Sequence, residues 1–159
     1  MTDMSLLFDT LSFNGDISEW NVSDVTNMYG MFKRASLFNG DISNWGVSNV
    51  TDMSGMFCNA SSFNQDISNW NVSNVKTMSW MFQWAKKFNQ DISDWDVSNV
   101  TKMNSMFEDA LSFNQDISKW TNNNKVEMSY MFENCPTKNQ IEKQPVFINK
   151  IKKYENIKS

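Results

Sequence analysis

At 159 residues the chain has the size of one domain and is long enough to bury a sizeable core. It lacks histidine, which removes the commonest general base and the commonest transition-metal ligand. Its net charge of −4 combines an acidic body, 8 basic against 16 acidic side chains over residues 1–137, with 6 Lys and 2 Glu over residues 138–159, a balance that argues against nucleic acid as a partner.

Three further exclusions follow. No stretch approaches about 18 consecutive apolar residues, so no membrane span is expected. The start, Met1-Thr2-Asp3-Met4, has neither the basic region nor the apolar run of a signal peptide. Cys58 and Cys135 lie three repeats apart, about 14 Å at ~4.8 Å per stacked coil, beyond disulfide reach, and read as free thiols.

In chain order, residues 1–12 read as an N-terminal half-coil, with Leu6, Leu7, Thr10 and Phe13 aligned on Met31, Phe32, Ala35 and Phe38. Residues 13–137 hold five copies of a 25-residue unit, F-N-x-D-I-S-x-W-x-V-S-N-V-T-x-M-x-x-M-F-x-x-A-x-x. A fixed period without insertions predicts a solenoid in which neighbouring coils complete one core. Within a unit, Asp-Ile-Ser-x-Trp predicts a short parallel strand on one face. Met28, Met31, Phe32 and Ala35, spaced i, i+3, i+4 and i+7, predict a short helix on the other, with Thr26, Thr51 and Thr101 as N-caps. The inward set per coil is Phe13, Ile17, Trp20, Val22, Val25 and the four residues of the helix face. The fifth unit degrades at Thr121-Asn122-Asn123-Asn124. Residues 138–159 read as a C-terminal cap and basic tail, with Val146, Phe147, Ile148 and Ile151 closing the last coil and Lys152 to Ser159 fraying.

Units such as Phe63-Asn64-Gln65-Asp66-Ile67-Ser68-Asn69-Trp70-Asn71-Val72-Ser73-Asn74-Val75, followed by Met78, Met81-Phe82 and Ala85, resemble the BspA-family leucine-rich-repeat surface proteins over about residues 4–135. The resemblance implies an α/β repeat solenoid, right-handed and leucine-rich-repeat-like. It also implies cell-surface or secreted display and adhesion or partner binding.

Several columns are candidate sites. Asn14, Asn39, Asn64, Asn89 and Asn114 suit a structural ladder, because a stacked amide can donate to and accept from adjacent backbones. Asp16, Asp41, Asp66, Asp91 and Asp116 would repel when stacked, which calls either for backbone N–H partners or for calcium between coils. Five equivalent carboxylates without a differentiated pocket do not make a catalytic pair. Glycosylation sequons at Asn21, Asn49, Asn59, Asn71 and Asn99 fall mostly in repeat columns whose turns already explain them.

Departures from the repeat are more informative. Trp80 and Trp84, with Tyr130 in the Trp80 column, place large aromatics where other coils have Gly30, Gly55 or Asn59, a pattern that favours an interface. The expectation is therefore a binding module for a protein or glycan, with no cofactor. The alternatives are a structural component self-associating through the solenoid ends or the tryptophan patch, and a calcium-stabilised solenoid.

Overall fold

The computed structural model describes residues 1–147. Ile148, Ile151 and the Lys152–Ser159 stretch lie outside them. Each 25-residue unit forms one coil, and single parallel bridges join Asp3, Asn27, Asp52, Thr77, Lys102 and Glu127 in succession.

The coils are built almost wholly from turns, which overturns the expected α/β solenoid of helices and parallel strands. Among the described residues helix is confined to two short 3-10 turns, Pro136–Asn139 and Ile141–Lys143, and to Val146 and Phe147, all after the fifth ribbon, and no sheet forms beyond those isolated bridges.

The segment expected to be helical, Met28 to Ala35, is a ribbon of tandem turns. Its amides alternate between two destinations. Those of Met31, Lys33 and Ala35 donate three residues back at 3.0–3.2 Å, while those of Met28, Gly30, Phe32 and Arg34 donate to the next coil at 2.7–2.9 Å. Gly30 and Arg34 have φ of 56° and 61°, and the equivalent positions of every coil are left-handed too. The i, i+3, i+4, i+7 spacing still turns Met28, Met31, Phe32 and Ala35 inward, each fully buried. The pattern reported the buried face correctly and the backbone wrongly. Eight residues are too few for a stable isolated helix, and here the neighbouring coil offers acceptors that a helix would leave unused.

The expected strand is also a turn. In Asp41–Trp45 the Trp45 amide donates to the Ile42 carbonyl at 3.1 Å, and the Ser43 amide donates to the Asp41 carboxylate at 2.9 Å. The indole Nε1 of the next coil's tryptophan donates to the same Ile42 carbonyl at 3.1 Å. Side chains therefore consume the backbone groups that a ladder would need. The one extended contact per coil falls instead just after the threonine column. Without a helix the threonines cap nothing: Thr51 Oγ1 donates to the Thr26 carbonyl one coil earlier at 3.2 Å, and Thr26 and Thr101 do the same.

Two phenylalanine columns run through the core. Phe8, Phe32, Phe57, Phe82, Phe107 and Phe132 stack with centroids 5.4–5.8 Å apart. Within a coil, Phe32 stacks on Phe38 at 3.9 Å, joining the second column. Offset ring contacts of this kind add to the burial of large apolar area.

At the N-terminal end the half-coil sits one residue away from the expected register. Asp3 bridges Asn27, the amides of Leu6 and Phe8 donate to Tyr29 and Met31, and Leu6 and Thr10 take the left-handed positions of Gly30 and Arg34. Leu7 and Phe8 thus match Met31 and Phe32, and Leu6 is exposed. The cause is one missing residue: Phe8 precedes Phe13 by five positions, whereas Phe32 precedes Phe38 by six. Arg34 clamps this half-coil through a two-pronged contact to Asp9 at 2.9 and 3.1 Å.

At the other end Asn122 replaces the valine of earlier coils. It is buried, and its Nδ2 donates to the carbonyls of Val97 and Val100 at 2.7 and 2.8 Å. Phe147 joins the core, whereas Val146 is exposed, so only one of that expected pair closes the last coil.

Candidate interaction face

Of the two columns of left-handed residues, one exposes Arg34, Asn59, Trp84 and Asn134, while the other exposes Leu6, Trp80 and Tyr130 but buries Gly30, Gly55 and Ser105. Glycine tolerates that conformation freely and Asn or Asp with little cost, whereas a bulky side chain is strained by about 1–2 kcal/mol. The second coil follows this economy at both positions with Gly55 and Asn59, and the first, fourth and fifth follow it at one, with Gly30, Asp109 and Asn134. The third coil follows it at neither. Trp80 (φ 59°) and Trp84 (φ 57°) are 45% and 43% exposed.

The indoles flank a cleft of about 320 Å³, lined also by Tyr29, Lys33, Gly55, Cys58 and Gln83. Trp84 is oriented by its Nε1 donating to Asp109 Oδ2 at 3.1 Å, and Asn134 holds the other Asp109 oxygen at 3.1 Å. Gln83 is held by Glu108 at 2.7 Å. The cleft is thus an aromatic-walled hollow with fixed polar edges, beside the amine of Lys33. Burial pushes the Cys58 thiol up, towards the protonated form. Tyr130, 69% exposed, stands apart from this cleft, on the edge of a larger hollow at the end of the array that Trp80 also lines. Trp80 and Trp84 therefore share one hollow and Trp80 and Tyr130 another.

The aspartate column forms a row of turns. In each, one carboxylate oxygen accepts from the amide of the serine two residues on, at 2.9–3.0 Å. Those serines hold the carboxyls below their usual pKa despite the neighbouring charges, chiefly through the amide at Asp66 and the hydroxyl at Asp116. Among the described residues no group of three His, Cys, Asp or Glu is placed to hold a metal.

The asparagine column runs as a continuous ladder. The backbone amides of Asn39, Asn64, Asn89 and Asn114 each donate to the carboxamide oxygen of the preceding coil's asparagine, at 2.8–2.9 Å. Beside it, Gln65, Gln90 and Gln115 donate to the asparagine carbonyls one coil earlier.

Three features escaped the sequence reading. A second amide ladder joins Asn49, Asn74, Asn99 and Asn124 to the serine carbonyls of the previous coil at 2.8 Å. An indole ladder joins Trp45, Trp70, Trp95 and Trp120 to isoleucine carbonyls at 3.0–3.1 Å. The third is the pair of left-handed columns. Gly55 and Asn59 four positions apart, with Gly30 and Asn134 in the same two columns, where a helix would disfavour both residue types, was the signal available for them.

No curated protein matches the chain, and no solved structure matches it either. One family model matches residues 1–79 and 41–146, which together take in the whole repeat array and the segments flanking it. The chain accordingly belongs to the family described as Mycoplasma protein of unknown function, DUF285.

Proposed function

We propose that this chain is a non-catalytic interaction module that takes a protein or glycan partner in the cleft between Trp80 and Trp84. The observation that carries the reading is the placement of two half-exposed tryptophans in left-handed positions that neighbouring coils give to small or polar residues. Strain held at a surface position is a pointer to function when the surroundings gain nothing from it. Indole faces suit both the apolar face of a sugar ring and a protein hot spot, and Lys33 and Gln83 supply hydrogen bonds beside them. The resemblance to the BspA-family surface proteins supports the same class.

The test labels the tryptophans with fluorine and follows their NMR signals during titration with defined oligosaccharides and, separately, with extracellular matrix proteins. The Trp80 and Trp84 resonances, assigned by Trp80→Phe and Trp84→Phe, are expected to shift while those of the buried indole ladder stay still. Shifts confined to other tryptophans, or none with either panel, would overturn the reading.

A further inference from the structure

We infer that the two ends of the array are complementary and that one copy stacks on the next, tail to head, through the groove left open on the fifth coil. This inference is independent of the tryptophan cleft.

Each coil gives four ribbon amides to the coil that follows. In the fifth coil these belong to Met128, Tyr130, Phe132 and Asn134, and none has an acceptor among the described residues. The chain beyond Cys135 passes over the other half of that coil. Thr137 Oγ1 donates to the Phe113 carbonyl at 3.1 Å, Gln140 to Asn114 at 2.7 Å, and the Ile117 amide to the Lys143 carbonyl at 3.0 Å. Over the ribbon half there remains a hollow of about 1100 Å³ whose lining includes Val126, Met128, Met131 and Phe132. Gln144 also lines it, and its buried Oε1 has no hydrogen-bond partner.

The head presents the reverse relief. Asp3 to Leu11 repeat only the ribbon half of a coil. The carbonyls of Asp3, Ser5 and Leu7, which correspond to acceptors in every later coil, have no donor among the described residues. Beside this half-layer the surface steps down to Trp20, which is 40% exposed. Its indole N–H lacks the isoleucine carbonyl that Trp45, Trp70, Trp95 and Trp120 each find one coil earlier. Head and tail therefore resemble the two halves of a lap joint. The ribbon layer of one copy fills the recess of the other, and Phe8 continues the column that stops at Phe132.

A second copy fits better than an unrelated extended peptide. The groove asks for carbonyls on alternate residues of a ribbon with left-handed residues four apart, and for a phenylalanine in register. Leu6, Thr10 and Phe8 supply that geometry. Unpaired edges of this kind invite pairing with another chain, and a head-to-tail contact that does not close on itself propagates.

The bridge column that joins Lys102 to Glu127 would place the incoming Asp3 beside Glu127, two like charges. Sedimentation velocity of the full chain over a concentration series, at low and high salt, is the measurement. Oligomers growing beyond the dimer are expected, more at high salt because screening relieves this repulsion. Glu127→Lys and Asp3→Lys should each tighten association about three- to tenfold, and the double variant, again like-charged, should lose the gain. Far-UV spectra and unfolding midpoints confirm that each variant folds. A chain monomeric at every concentration, including one whose own residues 148–159 fill the groove, would overturn the inference. So would dimers that grow no further, or association indifferent to both charge changes.

Discussion

Trp70 Nε1 donates to the carbonyl of Ile42, 3.1 Å away and one coil earlier, and both residues are buried. The bond recurs at each later tryptophan of the column and fastens coil to coil where no backbone ladder exists. The Ile42 carbonyl also accepts from the Trp45 amide, so the indole supplies its second bond, and the loss of that bond and of ring volume together probes the fastening.

Trp70→Phe keeps most of the apolar volume and removes the donor. It is expected to destabilise the chain by about 1–3 kcal/mol, read from urea unfolding midpoints. Trp20→Phe, at the exposed end of the same column, should change stability by less than about 0.5 kcal/mol. Equal effects at the two positions would refute the ladder as a fastening.

Trp80→Gly installs the residue that the first two coils use at this left-handed position. Relief of backbone strain is worth about 1–2 kcal/mol, partly offset by glycine's greater entropy when unfolded. The thermal midpoint is expected to rise, while any partner binding in the cleft falls. A drop of about 3–5 kcal/mol, the range for emptying a core aromatic site, would show that the indole is structural.

Acid should loosen the array. The carboxyls of Asp16, Asp41, Asp66, Asp91 and Asp116 lie below the ordinary value of 3.8 in the folded chain. A group depressed by folding contributes stability that is present above its unfolded pKa and lost as pH falls through its folded pKa. Unfolding midpoints should therefore be flat above about pH 5 and fall below the usual carboxylate range. Replacing all five by Asn should reduce that acid dependence with the turns intact. Asn21 and Asn71 already accept a serine amide in this way at 3.0 and 3.1 Å.

Calcium should have little effect. One oxygen of each column aspartate is already engaged by a serine amide, and a ligand stabilises only in proportion to its preference for the folded state. The melting temperature is expected to be the same in millimolar calcium and in excess chelator. A rise of several degrees with calcium would favour the metal-stabilised alternative.

The N-terminal half-coil shows how far a pattern can be trusted. Aligning it on the period of 25 pointed Leu6 inward, whereas the structure buries Phe8 and exposes Leu6. The shortened spacing from Phe8 to Phe13 was visible in the sequence, but its consequence was not. In the register adopted, Phe8 stacks on Phe32 at 5.4 Å and on Phe13 at 4.1 Å, and four amides of the half-coil donate to the first coil. The Trp80–Trp84 pairing was similarly legible as a departure from the repeat. Its cleft was not, because Tyr29 and Lys33 reach it from a coil two repeats earlier.

The amino-acid order alone established the 25-residue period, the columns that recur from coil to coil and the inward set, except that Trp20, at the open end of its column, is 40% exposed. These depend on which side chains avoid water, and hydrophobicity is carried residue by residue. The destination of each backbone hydrogen bond was settled only by tertiary structure. An amide in the Met28–Ala35 ribbon can donate within its own segment or to a coil 25 residues away. Helix and tandem turns bury the same four side chains, so hydrophobic spacing could not separate them. The competition was decided by a partner that exists only once the next coil is in place.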